Sequence, residues 1–267
     1  MLLPRIFSAI AMVVVFLFGL FVLDKTGFML FLGSVVMVAA WEWARLSDIA
    51  TQKGRVAFAG MTGTMLYGVH IFFLEAYVLY LAPILWIGAF VWVYRYPKVT
   101  GWGSSIVRLL FGLSILVTTW SAFVVLKDQA NFVTWTLILM GLIWGADTGA
   151  YFAGRRFGKT KLARHVSPGK SWEGVFGGLL LTQCGVAVFS FYEGLSISAW
   201  LLFAVIALVT VVVSVLGDLT ESLFKRHAGV KDSSHLIPGH GGVLDRVDSL
   251  TSASPIFVLL LGMAGWL

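Results

Sequence analysis

Residues 197–224, ISAWLLFAVIALVTVVVSVLGDLTESLF, decide the fold. Nothing in 197–217 is charged, and at about 1.5 Å per residue that stretch is a helix long enough to cross a hydrocarbon layer roughly 30 Å thick. The last turns change character. Asp218, Glu221, Ser222 and Lys225 stand at i, i+3, i+4 and i+7, so they form one polar stripe if the helix continues, with Leu219 and Phe224 turned away. Such a stripe at the end of a membrane helix reads as the floor of a water-filled pocket, with Asp218 placed for a metal. The plainer alternative is a helix end with i,i+4 ion pairs and snorkelling lysines.

The remainder of the chain is built from similar runs. Of its 267 residues 59% are hydrophobic and 12% charged, and the mean hydropathy is +0.91, which excludes a soluble globular domain. Apolar runs between charged or Gly/Pro breaks predict nine helices, at 6–23, 28–43, 57–74, 76–94, 106–126, 132–152, 175–191, 197–224 and 252–267. The expected fold is an all-α, polytopic membrane bundle of nine spans. Residues 1–130 supply five spans; 131–267 supply four spans and two polar loops, in one integrated unit. The third and fourth spans are separated only by Glu75. Arg5 and the apolar run 6–22 resemble a signal peptide, but the run ends in Asp24-Lys25 without a small-residue cleavage pattern and reads as the first membrane helix. Cys184 is the sole cysteine, which rules out a disulfide framework or thiolate cluster; a buried, inert thiol is expected.

Nine spans sort the basic residues onto one face. That face collects Arg5; Arg45, Lys53 and Arg55; Arg95, Lys98 and Arg108; Arg155, Arg156, Lys159, Lys161, Arg164 and Lys170; and Lys225, Arg226, Lys231 and Arg246. Of the 19 Lys and Arg residues only Lys25 and Lys127 fall on the other. The positive-inside rule makes the crowded face cytoplasmic, with the N-terminus on that side and the C-terminus outside. The formal net charge of +6 is thus a topology signal, and nucleic acid is not implied. The opposite loops carry only scattered acids, Asp24, Glu75, Asp128 and Glu193.

The two longest cytoplasmic connections carry more than topology requires. In 217–248, Lys and Arg interleave with acids around Pro238-Gly239-His240-Gly241-Gly242. Phosphoryl and nucleotidyl transfer need this mixture, because carboxylates hold a divalent cation while cations neutralise charge on phosphorus and the departing phosphate. The glycines free backbone N–H groups to approach an anion; a plain tight turn is the alternative. His235 and His240 suggest zinc only weakly, since Pro238-Gly239 denies them one helix face and no thiolate accompanies them. His240 reads as a hydrogen-bond donor to phosphate. Asp245 and Asp248 bracket Arg246 near the start of the last helix, where one acid serves the helix dipole and magnesium explains the surplus.

The second connection follows Asp147, which lies eight residues before Arg155 and so roughly 12 Å inside a helix. An acid at that depth is functional or is satisfied by a neighbouring helix. Gly145, Gly149 and Gly154 permit close helix packing. Gly154 to Thr160 imitates a phosphate-binding loop, but three residues separate Gly154 from Gly158-Lys159-Thr160 where four are required. Lys159, Lys161 and Arg164 then orient the loop, and Lys170 and Glu173 are the site candidates.

Taken together, 222–248 resembles the phosphatidate cytidylyltransferase family. Ser-x-apolar-Lys-Arg begins at Ser222, Lys231-Asp232 follows after four residues, then Pro-x-His-Gly-Gly from Pro238, then Asp-Arg-x-Asp from Asp245. The likeness extends to Gly217-Asp218-Leu-Thr-Glu221, to Asp147-Thr-Gly-Ala-Tyr151 and to Ser167-Pro-x-Lys170-Ser-Trp-Glu173-Gly174; the first five helices match only as apolar spans. Gly169-Lys170-Ser171 departs from relatives, which often carry another lysine and a threonine there. The resemblance implies magnesium-dependent transfer of the cytidylyl group of CTP to phosphatidic acid, giving CDP-diacylglycerol and pyrophosphate, by a dimeric enzyme in the inner membrane. A second cation beside magnesium is left open.

On this reading Asp218 and Asp245 bind metal, Asp248 supports them, and Lys225, Arg226, Lys231, Arg246 and Lys170 meet phosphates. Ser222, Asp232, His240, Gly241 and Gly242 join the substrate site, and Asp147 and Glu173 complete or orient it. A CTP-dependent lipid or polyprenol kinase, transferring the γ-phosphate and releasing CDP, is the rival enzyme. An ion or anion transporter, suggested by Asp147, is the rival from another class, and it leaves the loading of one face unexplained.

Overall fold

The structure is a computed structural model that describes residues 2–267, with side chains from residue 6 onward. The charge assigned to Arg5 therefore lies outside the described residues. Ten helices follow in order: α1 (Leu2–Phe21), α2 (Lys25–Leu46), α3 (Gln52–Ile71), the single turn α4 (Glu75–Val78), α5 (Leu81–Arg95), α6 (Ser105–Lys127), α7 (Phe132–Phe157), α8 (Trp172–Tyr192), α9 (Ile197–His227) and α10 (Leu244–Met263). Between α7 and α8 lies an antiparallel hairpin, β1 (Lys161–Ala163) and β2 (Ser167–Ser171), which pairs Lys161 with Ser171 and Ala163 with Ser167. Starts are fixed by short polar side chains: Asp24, Thr51, Ser171 and Ser196 each accept from the backbone N–H three residues on, which satisfies donors that a helix end leaves open.

The chain is an all-α polytopic membrane protein. By length and composition six of the described helical stretches can cross a bilayer: α2, the stretch Glu75–Arg95 shared by α4 and α5, α6, α7, α8 and α9. The apolar part of α1, Ile6–Phe21, is shorter. Along α3, Lys53, Arg55 and several Gly and Thr residues dilute the apolar run. At its start α10 is polar because protein, not lipid, surrounds it there: Ser249, Thr251, Ser252 and Ser254 are all buried, and the Ser252 hydroxyl donates to Val213 O at 2.8 Å. For the same reason α10 begins eight residues before the expected 252, and Asp245 and Asp248 fall in its first turns. The expected span 76–94 is broken between α4 and α5.

Two hydrophobic cores hold the bundle. One gathers Trp43, Trp86, Trp102, Phe111, Leu223 and Phe224 from α2, α5, α6, α9 and the segment before α6. The Phe224 ring lies 4.9 Å from Trp43, 5.3 Å from Trp102 and 5.8 Å from Phe111. This aromatic knot clamps the end of α9 and leaves its polar stripe on the other side, as the spacing predicts. The second core packs α6, α7, α9 and α10 through Phe123, Leu139, Phe203, Ala207 and Phe257. At Gly149 a Cβ would lie 2.6 Å from the Gly177 carbonyl oxygen and 2.8 Å from Gly178 Cα, so only glycine permits this approach of α7 to α8. Gly145 and Gly154 are looser, with nearest atoms at 3.3 and 3.4 Å. Cys184 is exposed on α8, against the expectation of a buried thiol, because its neighbour Thr182 takes the inward position.

Contacts at the two ends of the bundle keep the charges apart. Lys25 pairs with Asp128 at 2.6 Å and Lys127 donates to Leu23 O at 2.9 Å. At the opposite, basic end, Arg45 donates to Ser233 O at 3.1 Å, and the buried Arg108 contacts His227 at 2.7 Å and also pairs with Asp48.

Candidate active site

The polar stripe on α9 meets the start of α10 and the hairpin at the basic end. From α9, Lys225 Nζ lies 2.7 Å from Asp245 Oδ1 and 3.3 Å from Glu221 Oε2. Asp245 is 7% exposed, and its Oδ2 accepts from Ser233 N (2.9 Å), the Ser233 hydroxyl (2.9 Å) and Gly242 N (2.8 Å). The glycine-rich loop thus folds onto Asp245. Ile237 N donates to Gly241 O at 2.8 Å, closing the turn, and Gly241 has φ of +84°. A Cβ on Gly241 would lie 2.6 Å from Asp245 Oδ2, so positive φ and close approach both require glycine.

The second lysine arrives on β2. Lys170 Nζ lies 2.5 Å from Asp218 Oδ2, and Ser222 donates to Asp218 Oδ1 at 3.3 Å. Capping of α8 by the adjacent Ser171, which accepts from Gly174 N at 3.2 Å, fixes the end of β2 and with it Lys170. Both lysine and cap line a cavity of about 210 Å³ between α7, α8 and α9, with Asp147, Tyr151, Gly154, Gly178 and Val211. Asp147 is exposed within it and feels the charges of Lys170 and Asp218. Asp218 in turn acts on Asp248, and Asp248 on Glu221. Five carboxylates, Asp147, Asp218, Glu221, Asp245 and Asp248, therefore share one zone with the ammonium groups of Lys170 and Lys225. Glu221 is 3% exposed, with the Lys225 ammonium on its Oε2 side.

Other expected residues lie around this centre. Glu173 accepts the Thr160 N–H at 3.0 and 3.2 Å and clasps the hairpin to α8. Arg226 is exposed and donates to Val166 O at 3.3 Å, against the hairpin turn. Lys231 and Arg246 are exposed, and Asp232 is half-buried beside Gly241. Ser8 on α1 donates to Pro238 O at 3.0 Å and contacts His240 Nδ1 at 2.7 Å, so His240 fastens the loop to the first helix. Among the described residues, no three His, Cys, Asp or Glu side chains converge as a ready-made metal site. Asp218 and Asp245 each carry a lysine instead.

Three participants were not singled out from the sequence. Glu221 belongs to the α9 stripe and contacts Lys225. Ser233, and Glu42 on α2, hold the loop that carries Asp245. For Glu42 the available signal was an acid inside an apolar helix, flanked by Trp41 and Trp43, the same signal that marked Asp147.

Comparison with known proteins agrees with the motif. The model of the Cytidylyltransferase family matches residues 3–264. A phosphatidate cytidylyltransferase of Pseudomonas aeruginosa is 48% identical over 268 residues, 100% of this chain and 99% of the relative. One from Haemophilus influenzae is 40% identical over 280 residues, covering 96% and 97%; one from Staphylococcus epidermidis is 48% identical over 138 residues, about half of each chain. The resemblance read from residues 222–248 thus extends across all the helices, and the chain belongs to the cytidylyltransferase family.

Proposed function

We propose that the chain is a phosphatidate cytidylyltransferase which transfers the cytidylyl group of CTP to phosphatidic acid at the cytoplasmic face of the inner membrane. An oxygen of the lipid phosphate forms a bond to the α-phosphorus of CTP. The bond from that phosphorus to the bridging oxygen of the β-phosphate breaks, its electron pair leaves with pyrophosphate, and CDP-diacylglycerol remains. Phosphate is already a competent nucleophile, so the side chains position reactants and neutralise charge, with no covalent intermediate.

The observation that carries this reading is the pair of lysine–aspartate contacts, Lys170–Asp218 and Lys225–Asp245, whose α9 members lie two turns apart on one face of the helix. Each ammonium group is a phosphate ligand held by a carboxylate that is itself a metal ligand. Lys170, in the cavity with Asp147, receives the lipid phosphate, which enters sideways from the inner leaflet. Lys225 receives the phosphates of CTP, and the exposed Arg226, Lys231 and Arg246 draw the nucleotide in from water. The chemistry of the carboxylates supports magnesium: five acids stand against two lysines, and the ammonium groups on Asp218 and Asp245 stand where a cation would. Asp218 and Asp245 would hold the ion, with Asp248 and Glu221 beside them, and magnesium when bound supplies charge neutralisation at the phosphates. A second cation is compatible with the same surplus.

The chain crosses the membrane nine times with its N-terminus in the cytoplasm; the positive-inside rule and the separation of Lys25 and Lys127 from the basic end support this orientation. It works as a homodimer. The test uses purified protein with phosphatidic acid, magnesium and CTP labelled in the base and in the γ-phosphate. Base label in lipid, with release of pyrophosphate, is expected. Label from the γ-phosphate in lipid would make the protein a kinase, and movement of an ion across proteoliposomes without CTP would make it a transporter.

A further inference from the structure

The Glu42 side chain lies on α2, far in sequence from the loops described above, and it is wholly buried. Its carboxylate meets four donors from one short segment, one of them the single hydroxyl proton of Ser233 that it shares with Asp245. Oε1 accepts from the Ser234 hydroxyl at 2.6 Å and Val243 N at 3.0 Å; Oε2 accepts from Leu244 N at 2.6 Å and the Ser233 hydroxyl at 3.1 Å. Two of these donors are backbone N–H groups at the very start of α10. Burying a carboxylate costs several kcal/mol unless donors replace its water; here they do, and the carboxylate in turn satisfies two backbone N–H groups that an apolar side chain would leave open at the start of α10. The charge serves something that apolar packing does not.

We infer that Glu42 is a positioning residue for the reaction, fixing the place of Asp245 through the start of α10 and the Ser233 hydroxyl. Leu244, whose N–H it holds, is the residue before Asp245. The Ser233 oxygen lies 3.1 Å from Glu42 and 2.9 Å from Asp245, one hydroxyl between two carboxylates. Gly242 completes the fit, since a Cβ there would lie 2.5 Å from Glu42 Oε1. Arg45, one turn further along α2, holds the same loop through Ser233 O. The first half of the chain thereby grips the element that carries the proposed metal ligand. This inference rests on the reading of Asp245 as that ligand.

Glu42→Gln is the discriminating change. Each carboxylate oxygen faces one backbone N–H, so an amide in either orientation turns its own NH2 toward Val243 N or Leu244 N, and neither backbone group can rotate away. The experiment measures kcat, the magnesium concentration giving half-maximal turnover, and thermal unfolding of the full chain in detergent. In folded Glu42→Gln protein kcat is expected to fall roughly 10- to 100-fold, with the magnesium midpoint raised about tenfold. A purely structural role would lower the unfolding temperature and leave the folded fraction with wild-type kcat and midpoint, which overturns the inference. Should Glu42→Gln fail to fold, Ser234→Ala removes one donor that touches Glu42 and not Asp245. Its midpoint is expected to rise about fivefold, the equivalent of a hydrogen bond worth about 1 kcal/mol, and an unchanged midpoint overturns the inference. Failure of the metal reading looks different: the wild-type enzyme itself would then turn over without magnesium.

Discussion

Replacing Asp245 by Asn tests the centre of the site with the least disturbance of shape. An asparagine whose amide oxygen takes the place of Oδ2 keeps the bonds from Ser233 N, the Ser233 hydroxyl and Gly242 N, now at 2.8 to 2.9 Å. Its NH2 then points at Lys225 Nζ, where Oδ1 now lies 2.7 Å away. Breaking a buried pair costs about 3–5 kcal/mol when the partner is left alone. Lys225 is not left alone, because Glu221 Oε2 lies 3.3 Å from it, so the loss of stability should be nearer about 2 kcal/mol and the protein should still fold. Catalysis has no such reserve. Losing the proposed metal carboxylate and misdirecting the proposed phosphate-binding lysine together should lower kcat about a thousandfold or more, equivalent to about 4 kcal/mol of barrier. The assay is magnesium-dependent incorporation of labelled cytidylyl into lipid, normalised to folded protein by size-exclusion chromatography and thermal unfolding. Wild-type turnover in folded Asp245→Asn protein would refute the metal assignment.

Lys170→Met should lower kcat/KM for phosphatidic acid about 100-fold while changing the unfolding temperature little, since both partners of the Lys170–Asp218 pair are more than a quarter exposed and such pairs add little stability; kinetics at varied lipid in mixed micelles check this. Gly149→Ala forces a methyl against the Gly177 carbonyl and Gly178 Cα, so it should destabilise by about 1–3 kcal/mol, read as a lower unfolding temperature in detergent. Chelation of divalent ions should abolish turnover, and added magnesium should restore it, which is measured by pyrophosphate release.

How legible the site was depended on whether its determinants were local. The stripe Asp218, Glu221, Ser222 and Lys225 was readable because helical periodicity alone puts those side chains on one face, and Phe224 then falls among the aromatics opposite. The α7–α8 contact was readable from glycines for a similar reason. The start of α10 was not, because a search for apolar runs assumes lipid outside, and its first turns face Val213 and other protein groups. Nor was the hairpin, whose residues show no alternation; burial of Val166 in the aromatic core and the Arg226 contact to its carbonyl hold it in place.

Glu42 marks the sharper limit. Its donors lie 191 to 202 positions away, and no periodicity relates a residue on α2 to a loop before α10. What the sequence did hold was the anomaly of an acid between two tryptophans in an apolar helix. The physical reason that marks Asp147, an acid within an apolar helix, applies equally to Glu42. In a membrane bundle a buried charge is the feature that apolar patterning cannot explain, so each one marks a place where distant segments must meet. Read that way, the first five helices are not only an apolar frame for the chemistry of the last four: through Glu42 and Arg45 they set the position of the loop on which Asp245 depends.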